Sequence, residues 1–280
     1  MSENCNHDCS SCGESCESRG SANGRGNAPL RVPQNEDSNV RKVIAVVSGK
    51  GGVGKSLVTA LLASASSRAG QRTAVLDADI TGPSIPQSFG LRERAVGTGH
   101  SILPARSRTG VEVMSMNLLL NSETDPVVWR GPILADMVRQ FWQDVEWGDL
   151  DVMFVDMPPG TGDVPLTVFQ ALPVDGIVVV TSPQSMVGMI VEKAVKMANM
   201  MNIPILALVE NMSYFKCPNC GKTHDLFGLG DLEHLAVSHC VETVCRLPVN
   251  PEIAAAVDRG DVESLSVDEL APVLEAIRRL

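Results

Sequence analysis

Ser48-Gly49-Lys50-Gly51-Gly52-Val53-Gly54-Lys55-Ser56 follows the apolar run Val43-Ile44-Ala45-Val46-Val47 and precedes a helix-forming run. Strand, glycine-rich loop and helix in that order are what a phosphate-binding loop requires. From Gly49 onward the spacing is G-x-x-x-x-G-K-S. Gly49, Gly51, Gly52 and Gly54, with Val53 among them, let backbone N–H groups converge on phosphates, while Lys55 reaches the β/γ oxygens and Ser56 holds Mg2+. The following helix adds the positive end of its dipole. Lys50 is a second lysine inside the loop, and its side chain does not fold back easily onto phosphates cradled by its own backbone. It points to a nucleotide held by another subunit.

Outward from this loop, short β-branched runs alternate with longer amphipathic ones, the pattern of a parallel sheet covered by helices on both faces. Strands are expected over residues 42–47, 72–76, 111–116, 152–156, 176–181 and 205–209, with a last short one near 244–247. Helices are expected over 55–69, 132–143, 165–171, 185–201, 251–257 and 267–280. Residues 80–110, rich in Gly, Pro and Arg, read as a long functional loop. The fold class is therefore α/β, a single P-loop NTPase domain over residues 41–280. Residues 17 to about 40 are rich in Ser, Gly, Asn and Arg with almost no apolar side chain, so residues 1–40 read as a cysteine-bearing tail and flexible linker. A linker of that composition spans on the order of 25 to 30 Å.

With 280 residues and 44% hydrophobic content the chain is long enough for one large core. The net charge of -10 and the absence of a Lys/Arg cluster that would track a phosphate backbone argue against nucleic acid as a partner. No apolar run is long enough to span a bilayer and no signal-peptide segment opens the chain, so a cytoplasmic protein with no membrane partner is expected. In a reducing compartment the eight cysteines are better metal ligands than disulfides.

Val152-Met153-Phe154-Val155-Asp156 ends a strand in an aspartate, where a carboxylate must stand to meet Mg2+ beside Ser56. Met157-Pro158-Pro159-Gly160-Thr161-Gly162-Asp163 follows, with the stiff entry and permissive exit of a segment that moves when the γ-phosphate leaves. Asp79, in Leu76-Asp77-Ala78-Asp79-Ile80-Thr81-Gly82-Pro83-Ser84, is a second carboxylate at a strand end.

These blocks carry a resemblance. Gly-Lys-Gly-Gly-Val-Gly-Lys-Ser resembles the deviant Walker A loop of the nitrogenase iron protein, MinD and ParA class of dimeric ATPases. Adding the Asp79 block, Val128-Trp129-Arg130-Gly131-Pro132, the Asp156 block, Glu210-Asn211-Met212-Ser213, the Cys217/Cys220 pair and Leu247-Pro248-Val249-Asn250-Pro251-Glu252-Ile253, residues 42 to about 257 resemble the Mrp/ApbC-type iron-sulfur cluster carriers. The resemblance implies that Lys50 crosses a homodimer interface to the partner's ATP, that Asp79 positions or activates the attacking water with Asp77 in support, that Asn211 contacts adenine, and that the segment after Pro248 closes over the base.

Cys217-Pro218-Asn219-Cys220-Gly221 supplies two thiolates at knuckle spacing, half of a four-thiolate site. The resemblance implies that the other half comes from a second chain, with a 4Fe-4S cluster bridging the dimer, as isologous geometry permits. A zinc ribbon within one chain, completed by Cys240 and Cys245, is the alternative. Otherwise both of those cysteines are expected to pack as small buried hydrophobes. Cys5, Cys9, Cys12 and Cys16 place four thiols within twelve residues that have no apolar partners, which points to a metal or cluster. Some members of the family carry an N-terminal 4Fe-4S centre, although this spacing is tighter than that of the eukaryotic relatives; zinc and transient thiol chemistry stay open. His7, His224, His234 and His239 read as ordinary polar residues, and His100 lies in a loop and carries no signal.

The expected function is an ATP-hydrolysing carrier that loads a labile cluster from a donor and passes it to apo iron-sulfur clients. Two alternatives stand beside it: a positioning ATPase cycling on a surface, and a nucleotide-dependent electron donor. The C-terminal residues Leu270, Val273, Leu274, Ile277 and Leu280 share a helical face, but the opposite face mixes Asp268, Glu269 and Glu275 with Arg278 and Arg279, unlike a membrane anchor. Docking on the chain's own core is the expected role of that helix.

Overall fold

A computed structural model describes residues 31–280 except 80, 81, 83, 121–130, 161, 184–186, 229 and 231. Its elements in chain order are β1 (Ser38–Val40), β2 (Val43–Ser48), α1 (Lys55–Arg68), β3 (Thr73–Asp77), α2 (Ile85–Ser88), β4 (Val96–Gly97), β5 (Ile102–Leu103), β6 (Ala105–Arg106) and β7 (Glu112–Met114). They continue with α3 (Gly131–Gln143), β8 (Gly148–Leu150), β9 (Val152–Asp156), α4 (Asp163–Ala171), β10 (Gly176–Thr181), α5 (Val187–Met200), β11 (Ile205–Lys216), β12 (Thr223–His224), α6 (Leu232–Ser238), β13 (Val244–Pro248), α7 (Pro251–Asp258) and α8 (Ala271–Arg278).

The main sheet runs β12-β11-β10-β2-β9-β3-β7-β6, with β13 also paired to β11. Its central pairings, from β13 through β11, β10, β2, β9 and β3 to β7, are all parallel. Strands buried on both faces read as continuous apolar runs, which is why β2, β9 and β10 have no polar alternation. One core lies on the face of α3, α4 and α5, around Trp142, Trp147 and Phe169. The other lies on the face of α1 and α8, around Leu61, Phe154 and Ile277. Strand β2 sits between β9 and β10, and the chain leaves it for β3 on one side while β10 arrives on the other. The crevice at its carboxyl end is where an open parallel sheet takes its ligand.

Three expectations about the boundaries are corrected. The linker stops earlier than its composition suggests: Val32 N donates to Ala171 O (2.9 Å), Trp142 Nε1 donates to Val32 O (3.0 Å), and β1 pairs with β8. Backbone hydrogen bonds hold this polar stretch where side chains would not. The strand expected at 205–209 runs on to Lys216, because Glu210, Asn211 and Ser213 are buried polar residues that find partners inside the fold. The C-terminal helix is shorter than expected. Pro272 sits in its first turn, the position proline tolerates, and a 3-10 turn over Asp268–Leu270 precedes it. Leu270, Val273 and Ile277 are buried as expected, whereas Leu280 is exposed. Within the loop at 80–110, β4 and β5 form a two-stranded antiparallel ribbon. Among the described residues no helix is long and apolar enough to cross a membrane.

Candidate functional site

The carboxyl ends of β2, β3 and β9 and the middle of β11 bring one set of polar groups together. Lys55, the first residue of α1, is buried, and its Nζ lies 2.7 Å from Asp156 Oδ2 and 3.6 Å from Asp79 Oδ2. Ser56 Oγ donates to the same Asp156 Oδ2 at 2.6 Å, and Thr59 Oγ1 donates to Asp156 Oδ1 at 2.7 Å. Asp156 is fully buried, so its charge is tolerated only because a cation and two hydroxyls surround it. Thr59 escaped the sequence reading. It lies one helical turn beyond Lys55 and Ser56, a spacing that returns a side chain to the same face.

Asp77 is the register partner of Asp156 on the neighbouring strand and is likewise buried. Burial first, then the nearby Asp156 carboxylate, hold its acid well above the ordinary carboxylate range. Its Oδ2 accepts from Ser115 Oγ (3.0 Å) and its Oδ1 from the Asp79 backbone N–H (3.1 Å), so Asp77 fixes the turn that carries Asp79. Ser115 is a partner that no motif in the sequence marks.

The loop itself ends in a steric lock. Gly54 has φ +83°, and a Cβ there would stand 2.2 Å from Asn211 Nδ2. Asn211 is buried and donates from that nitrogen to Val53 O at 3.0 Å. Only glycine satisfies both the left-handed backbone and the close approach. Val53 is buried, Gly49, Gly54 and Ser56 are half-buried, and Lys50, Gly51 and Gly52 stand exposed at the rim. Ser48 Oγ donates to Lys50 O, and Gly160 N donates to Ser48 O, tying the Pro-Pro-Gly segment to the loop. Pro248, at the end of β13, is half-buried beside Tyr214, with which it pairs across β11. Ser56 and Asp156 offer a hydroxyl and a carboxylate, the hard oxygen donors that Mg2+ takes directly or through water, so the donor set fits that ion.

The second feature is the hairpin between β11 and β12. Cys217 N donates to Lys222 O and Gly221 N donates to Cys217 O, each at 2.9 Å, which folds the Cys217–Cys220 stretch into a tight knuckle. Cys217 is half-buried and Cys220 exposed. The backbone N–H groups of Cys220 and Asn219, and then the Cys220 side chain, hold the Cys217 thiol below the usual cysteine range. Such N–H groups favour the thiolate, the form that binds metal.

The C-terminal cysteines divide. Cys245 is buried in β13, where its thiol donates to Glu269 O (3.0 Å) and burial pushes it up to about 12. Cys240, expected to be buried, is exposed: it closes the turn after α6 in the left-handed region (φ +53°). Among the described residues no three His, Cys, Asp or Glu side chains gather as a metal site, so the single-chain zinc ribbon is not formed. Cys5, Cys9, Cys12 and Cys16, and the Val128-Trp129-Arg130 part of its block, lie outside the described residues.

The chain is similar to known proteins along most of its length. An iron-sulfur cluster carrier protein of Clostridium perfringens (strain 13 / Type A) is 40% identical over 266 residues, 91% of this chain and 93% of the relative. One from Methanocaldococcus jannaschii is 44% identical over 225 residues, 80% of this chain and 78% of the relative. Among solved structures, a nucleotide-binding protein from Archaeoglobus fulgidus in complex with ADP superposes with TM-score 0.75 at 41% identity, covering 82% of this chain and 91% of that one. The Pyrococcus furiosus cell division ATPase MinD shares the fold (TM-score 0.62, covering 85% of this chain and 98% of that one) at 18% identity. The family described as the ParA-class NUBPL iron-transfer P-loop NTPase matches residues 39–279. The chain therefore belongs to the NUBPL iron-transfer P-loop NTPase family.

Proposed function

We propose that the chain is an ATP-dependent carrier of a 4Fe-4S cluster that binds its cargo through Cys217 and Cys220 and delivers it to apo-proteins. The observation that carries this reading is a phosphate loop with its acidic partners complete in one chain, joined by a single strand to a hairpin that offers two thiols. A four-thiolate cluster then calls for the same two cysteines from a second copy, in a homodimer with the cluster at its two-fold axis. The relatives named as iron-sulfur cluster carriers support an iron-sulfur cargo.

In this reading the loop from Gly49 to Ser56 cradles the ATP phosphates, Lys55 meets the β/γ oxygens, and Lys50 at the rim reaches the partner's nucleotide. Ser56 and Asp156 would hold Mg2+, which would neutralise phosphate charge. Asp79 orients a water whose oxygen bonds to the γ-phosphorus as the bond to the β-phosphate oxygen breaks, leaving ADP, phosphate and a proton released to solvent. Asn211 and the segment after Pro248 flank the base. Cluster delivery is ligand exchange: client thiolates replace Cys217 and Cys220 of both copies, and no electrons are gained or lost. Cys5, Cys9, Cys12 and Cys16 hold a second metal or cluster. The carrier works in the cytoplasm, loaded by a cluster donor, without nucleic acid or membrane.

The test is reactivation of an apo 4Fe-4S dehydratase by reconstituted protein. Wild type should restore its activity and the Cys217→Ala/Cys220→Ala variant should not. Equal reactivation by the variant, which keeps the N-terminal cysteines, would move the transferable cluster away from the hairpin.

A further inference from the structure

Strand β11 is twice as long as the strand beside it, twelve residues against six in β10, and its two halves belong to different sites. Asn211, at its middle, donates to the phosphate loop. Cys217 follows directly from its end, six residues further on, or about 20 Å along an extended chain. Between them the strand is bent. Met212 lies in the left-handed region (φ +57°), and the pairing of β11 with β13 shifts register between Glu210 and Tyr214. A non-glycine residue in that region is uncommon and persists where its surroundings hold it.

What holds the bend is Glu210. Its side chain is 2% exposed, and its Oε2 accepts from Ser213 Oγ at 2.5 Å, across the Met212 kink. Arg246 of β13 stands 3.4 Å away through Nε, an ion pair without hydrogen-bond alignment, while its other end reaches Glu233 at 2.7 Å. On the third side lies Gly230, in the segment returning from the cysteine hairpin: a Cβ there would fall 1.9 Å from Glu210 Oε1. A cavity of about 280 Å³ is walled by Glu210, Tyr214, Thr223, Asp225 and Arg246, residues on or next to the hairpin strands and β13. A buried carboxylate is a weak stabiliser compared with an apolar residue of its size. Glu210 instead joins the kink of β11, the strand leading to Pro248, and the return of the hairpin, with the nucleotide-side Asn211 as its neighbour.

We infer that Glu210 is a positioning residue that couples the nucleotide loop to the Cys217/Cys220 hairpin, so that nucleotide binding at the Asn211 end changes the setting of the two thiols at the other. The inference rests on the carrier reading for the meaning of those thiols, but not for its test. The full chain is treated with iodoacetamide without nucleotide, with MgADP and with a non-hydrolysable ATP analogue. Alkylation of Cys217 and Cys220 is followed by peptide mass spectrometry, and nucleotide affinity is measured in parallel.

In wild type, nucleotide should change the alkylation rate by at least about fivefold, the lower end of ordinary coupling between sites. In Glu210→Gln and in Gly230→Ala, which attack the same contact from opposite sides, the response should fall below about twofold while nucleotide affinity stays within about threefold of wild type. Lost stability alone would not remove the response while keeping affinity. Ser213→Ala, which deletes only the hydroxyl across the kink, serves if either variant fails to fold, and it should weaken the response in the same direction. A wild-type hairpin indifferent to nucleotide, or folded variants that keep the full response, would overturn the inference. Cluster retention by Cys217→Ala/Cys220→Ala would overturn the carrier reading instead, leaving the coupling result intact.

Discussion

Lys55 and Cys217 stand at the heads of two sites built in opposite ways. Around Lys55, the buried Asp156 takes a cation and two hydroxyl donors, Asp77 is held by Ser115, and Asn211 closes over Gly54. Around Cys217 the chain supplies a knuckle of backbone hydrogen bonds, one further thiol and solvent. The nucleotide loop is pre-organised inside one chain, so its groups need little rearrangement to meet a ligand. The hairpin offers half a ligand set, and a cargo held by few, exposed ligands is one that exchange can remove. Stability and function are expected to separate along the same line: substitutions at the first site should damage both, those at the second only function.

The largest effect is expected at the buried pair. Lys55→Ala leaves the Asp156 charge without its cation and should lower unfolding stability by about 3 kcal/mol, the scale for breaking a buried ion pair. ATP hydrolysis should fall to background as well. Denaturant titration alongside a phosphate-release assay reads both, and a variant as stable as wild type would mean that the two hydroxyls alone support Asp156. By contrast, Cys217→Ala/Cys220→Ala should shift the unfolding midpoint by no more than about 0.5 kcal/mol, as for other surface positions.

A smaller contrast separates the cysteines from one another. At pH 7.5, iodoacetamide should modify Cys217 first, because its thiol is held below the ordinary range, and leave Cys245 untouched until the fold opens. Peptide mapping checks this, and early labelling of Cys245 would show that its burial in β13 is not maintained.

The smallest effect concerns Asp77. An acid whose value is raised in the folded state binds its proton more tightly there than when unfolded, so wild-type stability declines as pH climbs from the unfolded carboxylate value toward the folded one. Asp77→Asn has no such proton to lose. Its melting temperature relative to that of wild type should therefore be higher at pH 8 than at pH 5, and an equal difference at both would contradict an elevated Asp77.

How far the sequence carried the reading follows from how local each signal is. The loop from Gly49 to Ser56, the apolar strands ending in Asp77 and Asp156, and the Cys217/Cys220 knuckle are contiguous patterns whose chemistry shows without a fold. Helix α6 (Leu232–Ser238) is not legible in the sequence because Leu232, Leu235 and Ala236 make too short an apolar repeat to stand out. Strand β1 has one apolar residue among three, and it exists only through its pairing with β8. Thr59 and Ser115 are ordinary hydroxyl residues until the fold brings each to a carboxylate. Glu210 is the clearest case: in the sequence it is one residue of a short block, and its neighbours Arg246 and Gly230 are brought to it only by the fold.

The central claim is that one chain supplies half of a shared cluster site. Anaerobic reconstitution with iron and sulfide, followed by iron and zinc analysis of wild type and Cys217→Ala/Cys220→Ala, tests it most directly. The account predicts that the variant loses about half a 4Fe-4S cluster per chain, the share set by a two-fold-symmetric bridging site. Unchanged iron in the variant, or one zinc per chain at Cys217 and Cys220 with no iron retained there, would contradict it.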